Sequence, residues 1–534
     1  MIHLKINNFN HMKTIKAFFI LFFAIVIFSC NNEEPLSTTI TIEDGRLEGT
    51  LENGVFAFKG IPYAAPPVGD YRWKEPQPVE PWDGVLQADT FACGCSQAQD
   101  LNPQSEDCLY LNVWSQAKTK SEKLPVMVWI HGGGFSAGAP LESTYFGEQL
   151  TNKGIIYVSI AYRLGPLGFL AHPELSNESQ NNVSGNYGLL DMIAALKWVQ
   201  RNIDAFGGDP DKVTIFGESA GAIAISMLCA SPLAEGLFVG AISESGGNFG
   251  PISDIARQDG IISLKGAEND GVDFLKKMEV GSIAELRKIS PKELFKSNGF
   301  GMGGFWPNAD GYVIPGNQYD LYEAGKYNDV NVLIGWNSDE GGLFVRPTEP
   351  EDYKNGIKNR FGDFAEKILE VYPGETKEQA YFSSADIFRE TAFAWPTWAW
   401  GRLQSRTGNS KVFMYYFDQK QPTNPRMPIE LRGAPHAAEI KYVLGNINEE
   451  EYASEDVELS DMMGTYWTNF AKYGDPNGEN LPNWPKFTEE NQMVMHFINT
   501  QEQSSSAKPV PNLNKLDLMD GYFEYRNEAI NTAN

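Results

Sequence analysis

The 534-residue sequence has few cysteines, few histidines and a deficit of positive charge. Its five cysteines are too sparse for a disulfide framework beyond one local bridge, and no histidine near Cys93, Cys95 or Cys108 supplies zinc-ligand spacing. The 43 basic and 69 acidic residues give a net charge of −26, which repels phosphate backbones and argues against nucleic-acid binding. After Thr38 there is no long linker, low-complexity block or internal repeat, so one large decorated domain is expected.

The N-terminal segment is typical of a targeting signal rather than of a transmembrane helix. Lys13 and Lys16 precede an apolar run at residues 17–28, which has 12 residues, whereas a spanning helix needs about 20. Residues 27–30, ending in Cys30, resemble the lipobox of bacterial lipoproteins, in which the cysteine is lipidated. We therefore expect a signal peptide over residues 1–30, with a lipid anchor on Cys30. The chain is then exported and membrane-anchored at the periplasmic or cell-surface face of a bacterial outer membrane. A plain secretory signal is the alternative.

Alternating strand and helix patterns predict a large, mostly parallel sheet covered by helices on both faces. We expect a flexible tether at residues 31–37, one α/β domain over residues 38–525 and a tail at residues 526–534. Two helical stretches are expected to cap the carboxyl edge of the sheet, where sites lie in such folds. The predicted strands are residues 125–130, 155–161, 213–216, 237–243, 330–334 and 412–417; the predicted helix after the third strand is 222–230, and the cap stretches are 246–308 and 347–406.

A Gly-Glu-Ser-Ala-Gly segment at residues 217–221 lies between a predicted strand and a predicted helix, which is the context of a nucleophile elbow. Side chains at the flanking glycines would clash in so tight a turn. The turn lifts the Ser219 hydroxyl above the sheet, at the positive end of a helix. The pattern alone is weak, and a helix N-cap without chemistry is the alternative. The flanking elements favour Ser219 as a nucleophile.

A serine nucleophile needs a base, and few histidines are available to supply it. In α/β hydrolases the chain order is nucleophile, acid, base, which leaves His436 and His496 downstream of Ser219. His436 lies in a loop predicted just after a strand, whereas His496 lies in a strand-like run and is interpreted as structural. Asp339 and Glu340 follow another predicted strand, and the residues alone leave either of them as the acid.

A His-Gly-Gly-Gly-Phe run at residues 131–135 follows the first predicted strand. Glycines let main-chain N–H groups approach a substrate oxygen closely, so those of Gly133, Gly134 and Ala220 are expected to form an oxyanion hole. A flexible glycine turn is the alternative. Phosphate binding is disfavoured because the Gly-Lys-Ser/Thr and Gly-x-Gly-x-x-Gly registers are missing. With the elbow, the run is a strong signal for acyl transfer.

These segments resemble the type-B carboxylesterase and cholinesterase family of α/β hydrolases. The resemblance implies an α/β-hydrolase fold with helical cap insertions and a serine esterase that needs no metal or organic cofactor. It implies a triad of Ser219, Glu340 and His436, because the family's acid directly precedes a glycine, as Glu340 does. The matching blocks are residues 58–64, 105–112, 131–135, 186–191, 206–210, 216–221, 338–341, 435–439 and 467–477.

The resemblance also implies a disulfide between Cys95 and Cys108, because the family pairs the cysteine of the second block with one upstream. The loop so closed is short here. It lacks the tryptophan over which a choline cation sits in cholinesterases, which argues against choline esters. Ser245 resembles a serine that the family places near the base, and a structural hydroxyl is the alternative.

The predicted activity is hydrolysis of a small-molecule carboxylic ester through an acyl-enzyme on Ser219. An amidase with the same triad and a non-catalytic binding module are the alternatives. Phe135, Phe305, Trp306 and Trp395 are candidates for an apolar substrate pocket, with core packing as the other interpretation.

Overall fold

An eleven-stranded β-sheet forms the centre of the molecule. The computed structural model describes residues 34–254, 260–298, 304–422, 430–448 and 450–533. The central strands are β1 (Thr50–Glu52), β2 (Val55–Pro62), β3 (Tyr110–Ser115), β4 (Leu124–Ile130), β5 (Ile156–Ile160), β6 (Gly208–Glu218), β7 (Gly240–Glu244), β8 (Asn331–Asn337), β9 (Val412–Phe417), β10 (Met493–Phe497) and β11 (Ser506–Pro509).

The strand order is β11-β10-β9-β8-β7-β6-β4-β5-β3-β2-β1. All pairs from β10 to β5 are parallel. The pairs outside that block, at both edges, are antiparallel. The predicted parallel sheet is therefore confirmed in its middle, and the sheet as a whole is mixed. Small sheets contain Thr39–Ile42, Gly45–Glu48 and Val85–Gln87; Gly94–Cys95 and Gln104–Ser105; and Ile252–Ser253, Ile261–Ser263 and Asn308–Ala309.

Helices cover both faces of the sheet and one of its ends. In chain order they are α1 (Glu148–Thr151), α2 (Gly165–Phe169), α3 (Pro173–Glu178), α4 (Tyr187–Asn202), α5 (Ala220–Ala230), α6 (Leu264–Lys277), α7 (Ile283–Leu286), α8 (Pro291–Asn298), α9 (Gln318–Glu323), α10 (Pro350–Phe361), α11 (Ala365–Val371), α12 (Lys377–Arg389), α13 (Trp395–Thr407), α14 (Ile440–Leu444), α15 (Ser454–Tyr473) and α16 (Leu513–Ala533). A π-helical turn, Glu390–Ala394, joins α12 to α13.

Successive residues of the central strands supply two hydrophobic cores, one on each face of the sheet. In β4, Val126 and Val128 enter one core while Met127 and Trp129 enter the other, because side chains alternate along a strand. Helices α4, α5 and α13 cover the first core, and α14 and α15 cover the second. A strand buried on both faces needs apolar residues throughout, which explains the nearly continuous apolar runs in the sequence.

The predicted elements lie where the patterns placed them, with shifted ends. The strand predicted at 213–216 is longer and runs over Gly208–Glu218, and the helix predicted at 222–230 already begins at Ala220. In its described residues, the first cap stretch contains three helices and also short strands, while the second is helical from α10 to α13. The extra strands pair with one another, so local pattern alone did not indicate them.

The two ends of the predicted domain differ from the sequence-based expectation. Leu36, placed in a flexible tether, is buried in the first core, and its N–H donates to the Lys118 carbonyl at 2.9 Å. Burial of its apolar side chain stabilises Leu36 in this position. The prediction of a flexible tether was therefore wrong from Leu36 onward. At the other end α16 continues to Ala533, through the predicted tail. Cys30 lies outside the described residues.

Within the residues that the structure describes, no helix is long and apolar enough to cross a membrane.

Candidate active site

Ser219 lies in a sharp turn between β6 and α5. Its main chain has φ 54° and ψ −121°, which L-residues rarely adopt. A Cβ atom on Gly217 would approach the Ile130 carbonyl oxygen at 2.3 Å, and one on Gly221 would approach it at 2.0 Å. Both flanking glycines are therefore required by the packing of the turn against β4, as the sequence predicted.

His436 and Glu340 are brought together by two loops at the carboxyl edge of the sheet. The Nδ1 atom of His436 lies 2.6 Å from Oε2 of Glu340, and the other oxygen of this fully buried carboxylate accepts the Asn337 N–H at 2.7 Å. Asp339 has a different role: its side chain accepts the Arg432 N–H at 2.7 Å. Of the two candidate acids, only Glu340 contacts the imidazole.

The sequence suggested that the loop containing His436 comes directly after a strand, but in the structure it does not. Strand β9 ends at Phe417, and an intervening segment precedes His436. The loop is positioned instead by the acid loop, since the Asp339 N–H donates to the Ala434 carbonyl at 2.9 Å and Pro435 forms a parallel bridge with Asp339. His496 lies in β10 and pairs with Asp418 at 3.0 Å, in keeping with a structural histidine.

The structure does not join Ser219 to His436 by a hydrogen bond within the described residues. The Nε2 atom of His436 lies 3.1 Å from Oε1 of Glu218, the residue directly before Ser219. The imidazole therefore lies between two carboxylates: it is hydrogen-bonded to Glu340 at one nitrogen and lies close to Glu218 at the other.

Buried glutamates shift the charge state of the imidazole. Burial lowers the pKa of His436, but attraction by Glu218 and Glu340 outweighs burial and raises it to about 9. Burial raises the pKa of Glu218 to about 8, despite the attraction of His436. Burial likewise raises the pKa of Glu439 to about 7 and that of Glu244 well above its usual range. Such closely placed groups titrate together, so the cluster retains protons at neutral pH.

Ser245 belongs to the hydrogen-bond network behind the imidazole. Its hydroxyl donates to Oε1 of Glu439 at 3.1 Å, and the Asn337 amide donates to the other oxygen at 2.5 Å. Glu439 follows His436 by three residues and directly precedes α14 as its N-cap residue. Ser245 therefore lies near the base, as the resemblance implied, but it contacts the carboxylate and not the ring.

The glycine run after β4 forms a turn with left-handed backbone conformations. Gly133 and Gly134 have φ of 102° and 62°, which glycine adopts without strain. The turn lies close to the elbow, because a Cβ on Gly132 would meet the Ser219 Cβ at 3.1 Å. Within the described part of the chain, the N–H groups of Gly133, Gly134 and Ala220 have no acceptor among the hydrogen bonds found. Main-chain N–H groups without an acceptor, close to a serine side chain, are of the kind that can bind a negatively charged oxygen.

The far end of the same turn is held by Gln97. The side-chain amide of Gln97 donates to the Gly138 carbonyl at 3.1 Å and accepts the Gly138 N–H at 3.0 Å. Gln97 lies two residues after Cys95, which forms the predicted disulfide with Cys108, with an S–S distance of 2.03 Å. Cys93 is half-buried and Cys229 is buried, and both are free thiols.

A cavity of about 560 Å³ opens above Ser219, within the size range of small-molecule sites. Of the predicted pocket residues only Trp306 lines it. Phe135 lies behind Trp306, with ring centroids 5.1 Å apart, Phe305 packs on Phe274, and Trp395 packs on Phe523. The aromatic lining consists of Phe249, Trp306, Phe344, Phe388, Phe393 and Phe523.

Two of these aromatic rings also cover the imidazole. Phe393 stacks on His436 with centroids 4.5 Å apart, and Phe344 meets it edge-on at 5.1 Å. Both rings line the cavity that Ser219 lines, so the nucleophile and the imidazole share one enclosure. Across the described ranges, no cluster of His, Cys, Asp or Glu side chains is arranged to hold a metal ion.

The sequence model of the carboxylesterase family matches residues 36–515. The chain belongs to the carboxylesterase family. It is 35% identical over 480 residues to the fumonisin B1 esterase of Sphingopyxis macrogoltabida, with 85% of each chain covered. It is 37% identical over 483 residues to the para-nitrobenzyl esterase of Bacillus subtilis (strain 168), which covers 84% of this chain and 93% of that one.

A solved structure of a PNB esterase superposes on this carboxylesterase with a TM-score of 0.77 at 36% identity, covering 90% of this chain and 99% of that one. The predicted α/β-hydrolase fold is therefore confirmed. The protein is a carboxylic ester hydrolase, as the sequence predicted.

Several site residues were not singled out from the sequence. Glu218 and Glu439 lie inside motif blocks that were recognised, but nothing in a single sequence indicates that they face the imidazole. Phe344 follows Glu340 by four residues, and Phe393 lies in a stretch predicted only as helical cap. Its closeness in sequence to Glu340 is the one signal that could have indicated Phe344 as a residue of the site.

Proposed function

We propose that this carboxylesterase cleaves esters through an acyl-enzyme on Ser219, with His436 as base and Glu340 as its orienting acid. His436 Nε2 takes the Ser219 proton while Oγ attacks the ester carbonyl. The N–H groups of Gly133, Gly134 and Ala220 hold the resulting oxyanion, and His436 then protonates the departing alcohol. Water, deprotonated by His436, then attacks the acyl carbon; the bond from that carbon to Oγ breaks, the carboxylic acid leaves, and His436 returns the proton to Ser219.

The contact of 2.6 Å between His436 Nδ1 and Glu340 Oε2 carries this proposal. This contact favours the tautomer that carries its proton on Nδ1, so Nε2 is free to accept a proton on the side of the Ser219 turn. The buried carboxylate also stabilises the imidazolium that forms during attack. To complete the triad, the Ser219 hydroxyl rotates toward His436 Nε2 and takes the place that Glu218 has beside this nitrogen. The aromatic lining of the cavity favours esters with an apolar acyl or alcohol part.

Hydrolysis of p-nitrophenyl acetate and butyrate tests the proposal, with Ser219→Ala, His436→Gln and Glu340→Gln compared with the unchanged enzyme. We expect each variant to lose at least about a thousandfold in kcat, because the triad acts as a unit. Turnover that persists in Ser219→Ala would remove Ser219 from the mechanism. Faster cleavage of matched anilides than of the esters would favour the amidase alternative, and inactivity of the unchanged protein would favour a binding module.

We also propose that the protein is exported and anchored by a lipid on Cys30, at the periplasmic or cell-surface face of an outer membrane. The lipobox-like residues 27–30 support this, and so does the Cys95–Cys108 disulfide, since disulfides persist in oxidising compartments. Metabolic labelling with a palmitate analogue in a bacterial host tests it. The label should enter the protein and be lost in Cys30→Ser; equal labelling of both would contradict the proposal.

A further inference from the structure

The N-terminal end of the described chain is attached to one segment of the domain by main-chain hydrogen bonds. The Leu36 N–H donates to the Lys118 carbonyl at 2.9 Å. The Lys120 N–H donates to the Glu34 carbonyl at 3.2 Å, and the Lys120 ammonium group lies 2.9 Å from Oε1 of the same glutamate. Leu36 is also buried in the first core. The chain is therefore held in place from Glu34 onward, by pairing as well as by packing.

This attachment lies at the amino edge of the central sheet. Residues 118–123 lie between β3 and β4, and β4 runs from Leu124 to Ile130. A rise of about 3.3 Å per residue separates the two ends of this strand by about 20 Å. Ser219 directly follows β6, whose Gly217 pairs with Ile130 at the far end of β4. The proposed nucleophile and its cavity therefore lie at the opposite edge of the sheet from residues 118–123.

The distance from the proposed lipid attachment to the amino edge is limited by the length of the chain. Cys30 and Glu34 are separated by residues 31–33. Four steps from one Cα atom to the next span at most about 14 Å, even in a fully extended chain. This span is shorter than β4, so an anchor on Cys30 keeps the amino edge close to the bilayer, and not the edge with Ser219.

The surface next to the attachment has side chains suited to phospholipid headgroups. Residues 118–123 include three lysines and one glutamate. Lys120 is paired with Glu34, whereas Lys118 and Lys123 are exposed. Anionic headgroups attract basic side chains that lie near the membrane surface. The net charge of −26 repels such a surface, and these two lysines offset that repulsion locally.

We propose that residues 118–123 form the surface of this carboxylesterase that contacts phospholipid headgroups, with Lys118 and Lys123 against the phosphates. The active-site cavity then faces away from the bilayer, and the enzyme takes its ester substrates from the aqueous side. The inference rests on the lipid anchor at Cys30 that is proposed above, and it adds the orientation of the anchored enzyme.

Quenching by nitroxide-labelled lipid headgroups tests this orientation, because a nitroxide quenches a fluorophore only at short range. The lipidated enzyme carries Cys93→Ser, which removes the half-buried free thiol, and is placed in vesicles of phosphatidylethanolamine and phosphatidylglycerol. The fluorophore is attached at Ser121→Cys in one protein and at Lys358→Cys in the other. Both positions are exposed, and Lys358 lies on α10, which contributes Arg360 to the cavity wall.

We expect the nitroxide to quench the fluorophore at position 121 about threefold or more strongly than the one at position 358, since the length of β4 lies between the two edges of the sheet. Equal quenching at the two positions, or stronger quenching at position 358, overturns the inference.

The contribution of the lysines is tested in the protein labelled at position 121. Lys118→Gln combined with Lys123→Gln should lower its quenching about twofold or more. The matched control, Lys288→Gln combined with Lys292→Gln, removes two exposed charges elsewhere and should leave the quenching unchanged. An equal response to both double variants overturns the contact of Lys118 and Lys123 with the headgroups.

Failure of the lipid anchor has a different signature in vesicle flotation. Flotation would then recover the Cys30→Ser variant as fully as the unchanged enzyme, or it would recover neither protein, and the inference fails with the anchor. With the anchor present, only the unchanged enzyme floats, and the quenching pattern alone decides the orientation.

Discussion

Four residues around the proposed nucleophile have strained backbone conformations. Phe135, Ser219, Ser245 and Ala437 all have positive φ, between 54° and 65°, although none of them is glycine. Each such residue costs about 1–3 kcal/mol and persists only where surrounding contacts enforce it. Here the contacts come from β4, from the acid loop and from α5, which together fix the direction of the side chains. Strain at these positions therefore serves to orient the site.

Replacement of Glu218 tests how the imidazole is tuned. Attraction by Glu218 helps to raise the pKa of His436 to about 9, so the ring keeps its proton to a higher pH than an ordinary imidazole does. In Glu218→Gln that attraction is lost and the His436 pKa falls. Because only the neutral ring can act as a base, the acidic limb of the kcat/KM profile should move to lower pH by about 1–2 units.

The control for this prediction is Glu235→Gln, which removes the same charge from an exposed position and should leave the limb in place. A limb that stays in place in Glu218→Gln, or moves to higher pH, would contradict the assigned influence of Glu218 on His436.

At the residue scale, motif order predicted much of the site but not its electrostatics. The contact between Glu340 and His436 could be expected from the sequence, because both residues lie in motif blocks that resemble the family's acid and base loops. The position of Glu218 against Nε2 depends on how the base loop packs over the elbow, which no local pattern encodes. The pocket prediction failed at Phe135 and Phe305 for the same reason: an aromatic residue near a motif points to the core as readily as to the cavity.

At the element scale, the glycine turn of the proposed oxyanion hole is anchored by a residue outside its own strand. Gln97 exchanges two hydrogen bonds with Gly138, and this contact ties the turn to the disulfide-bonded segment. In Gln97→Leu the turn loses that anchor, and Gly133 and Gly134 are held less firmly. We expect kcat to fall about 10- to 100-fold with a smaller change in KM, because the lost contact acts on the transition state.

A trifluoromethyl ketone inhibitor separates this effect from general damage, since it binds as a tetrahedral oxyanion. Its Ki should rise in parallel with the loss of kcat/KM in Gln97→Leu. Gln99→Leu, at an exposed position of the same segment, should leave both values near those of the unchanged enzyme. An unaltered Ki in Gln97→Leu would exclude this role for Gln97.

Helix α12 in the cap is joined to the acid loop by a buried arginine. Arg389 donates from Nη1 to the Ser338 carbonyl at 2.6 Å and pairs through Nη2 with Glu390 at the same distance. Arg389→Leu leaves the Glu390 carboxylate buried without its partner. We expect the free energy of unfolding, measured by urea denaturation, to fall by about 3–5 kcal/mol.

The matched control is Lys377→Leu, because this lysine lies on the same helix in an exposed ion pair with Glu349. Its substitution should cost less than about 1 kcal/mol. An equally small loss in Arg389→Leu would show that the buried pair does not support the cap.

Element type was predictable wherever a run of apolar residues fixed it, as in β4, β5 and β9. The antiparallel edges and the short strands of the cap were not, because pairing direction depends on contacts distant in sequence. The strand predicted at 213–216 was too short for a comparable reason, since Gly208 pairs with Leu124 across a bulge in β6. The helix beyond residue 525 was not predicted because the sequence there is polar. The preceding turns of the same helix are held in the core by the buried side chains of Tyr522 and Phe523.

At the scale of the whole molecule, the net charge of −26 sets the field that an approaching substrate meets. Salt screens this field, so a negatively charged substrate should be repelled less as the ionic strength rises. We therefore expect the ratio of kcat/KM for mono-p-nitrophenyl glutarate to that for its methyl ester to rise about twofold or more from 10 to 200 mM NaCl. A ratio that falls with salt would show that positive charge near the cavity mouth dominates the approach.

The central claim is that Ser219, His436 and the three main-chain amides act on one substrate carbonyl. A crystal structure of the enzyme treated with a p-nitrophenyl alkylphosphonate tests it most directly, because the adduct mimics the tetrahedral intermediate. We expect phosphorus bonded to Ser219 Oγ and His436 Nε2 within about 3.2 Å of that oxygen. A phosphonyl oxygen should lie about 3 Å from the N–H groups of Gly133, Gly134 and Ala220. An adduct on another residue, or one with Nε2 still turned to Glu218 and the amides pointing elsewhere, would contradict the account.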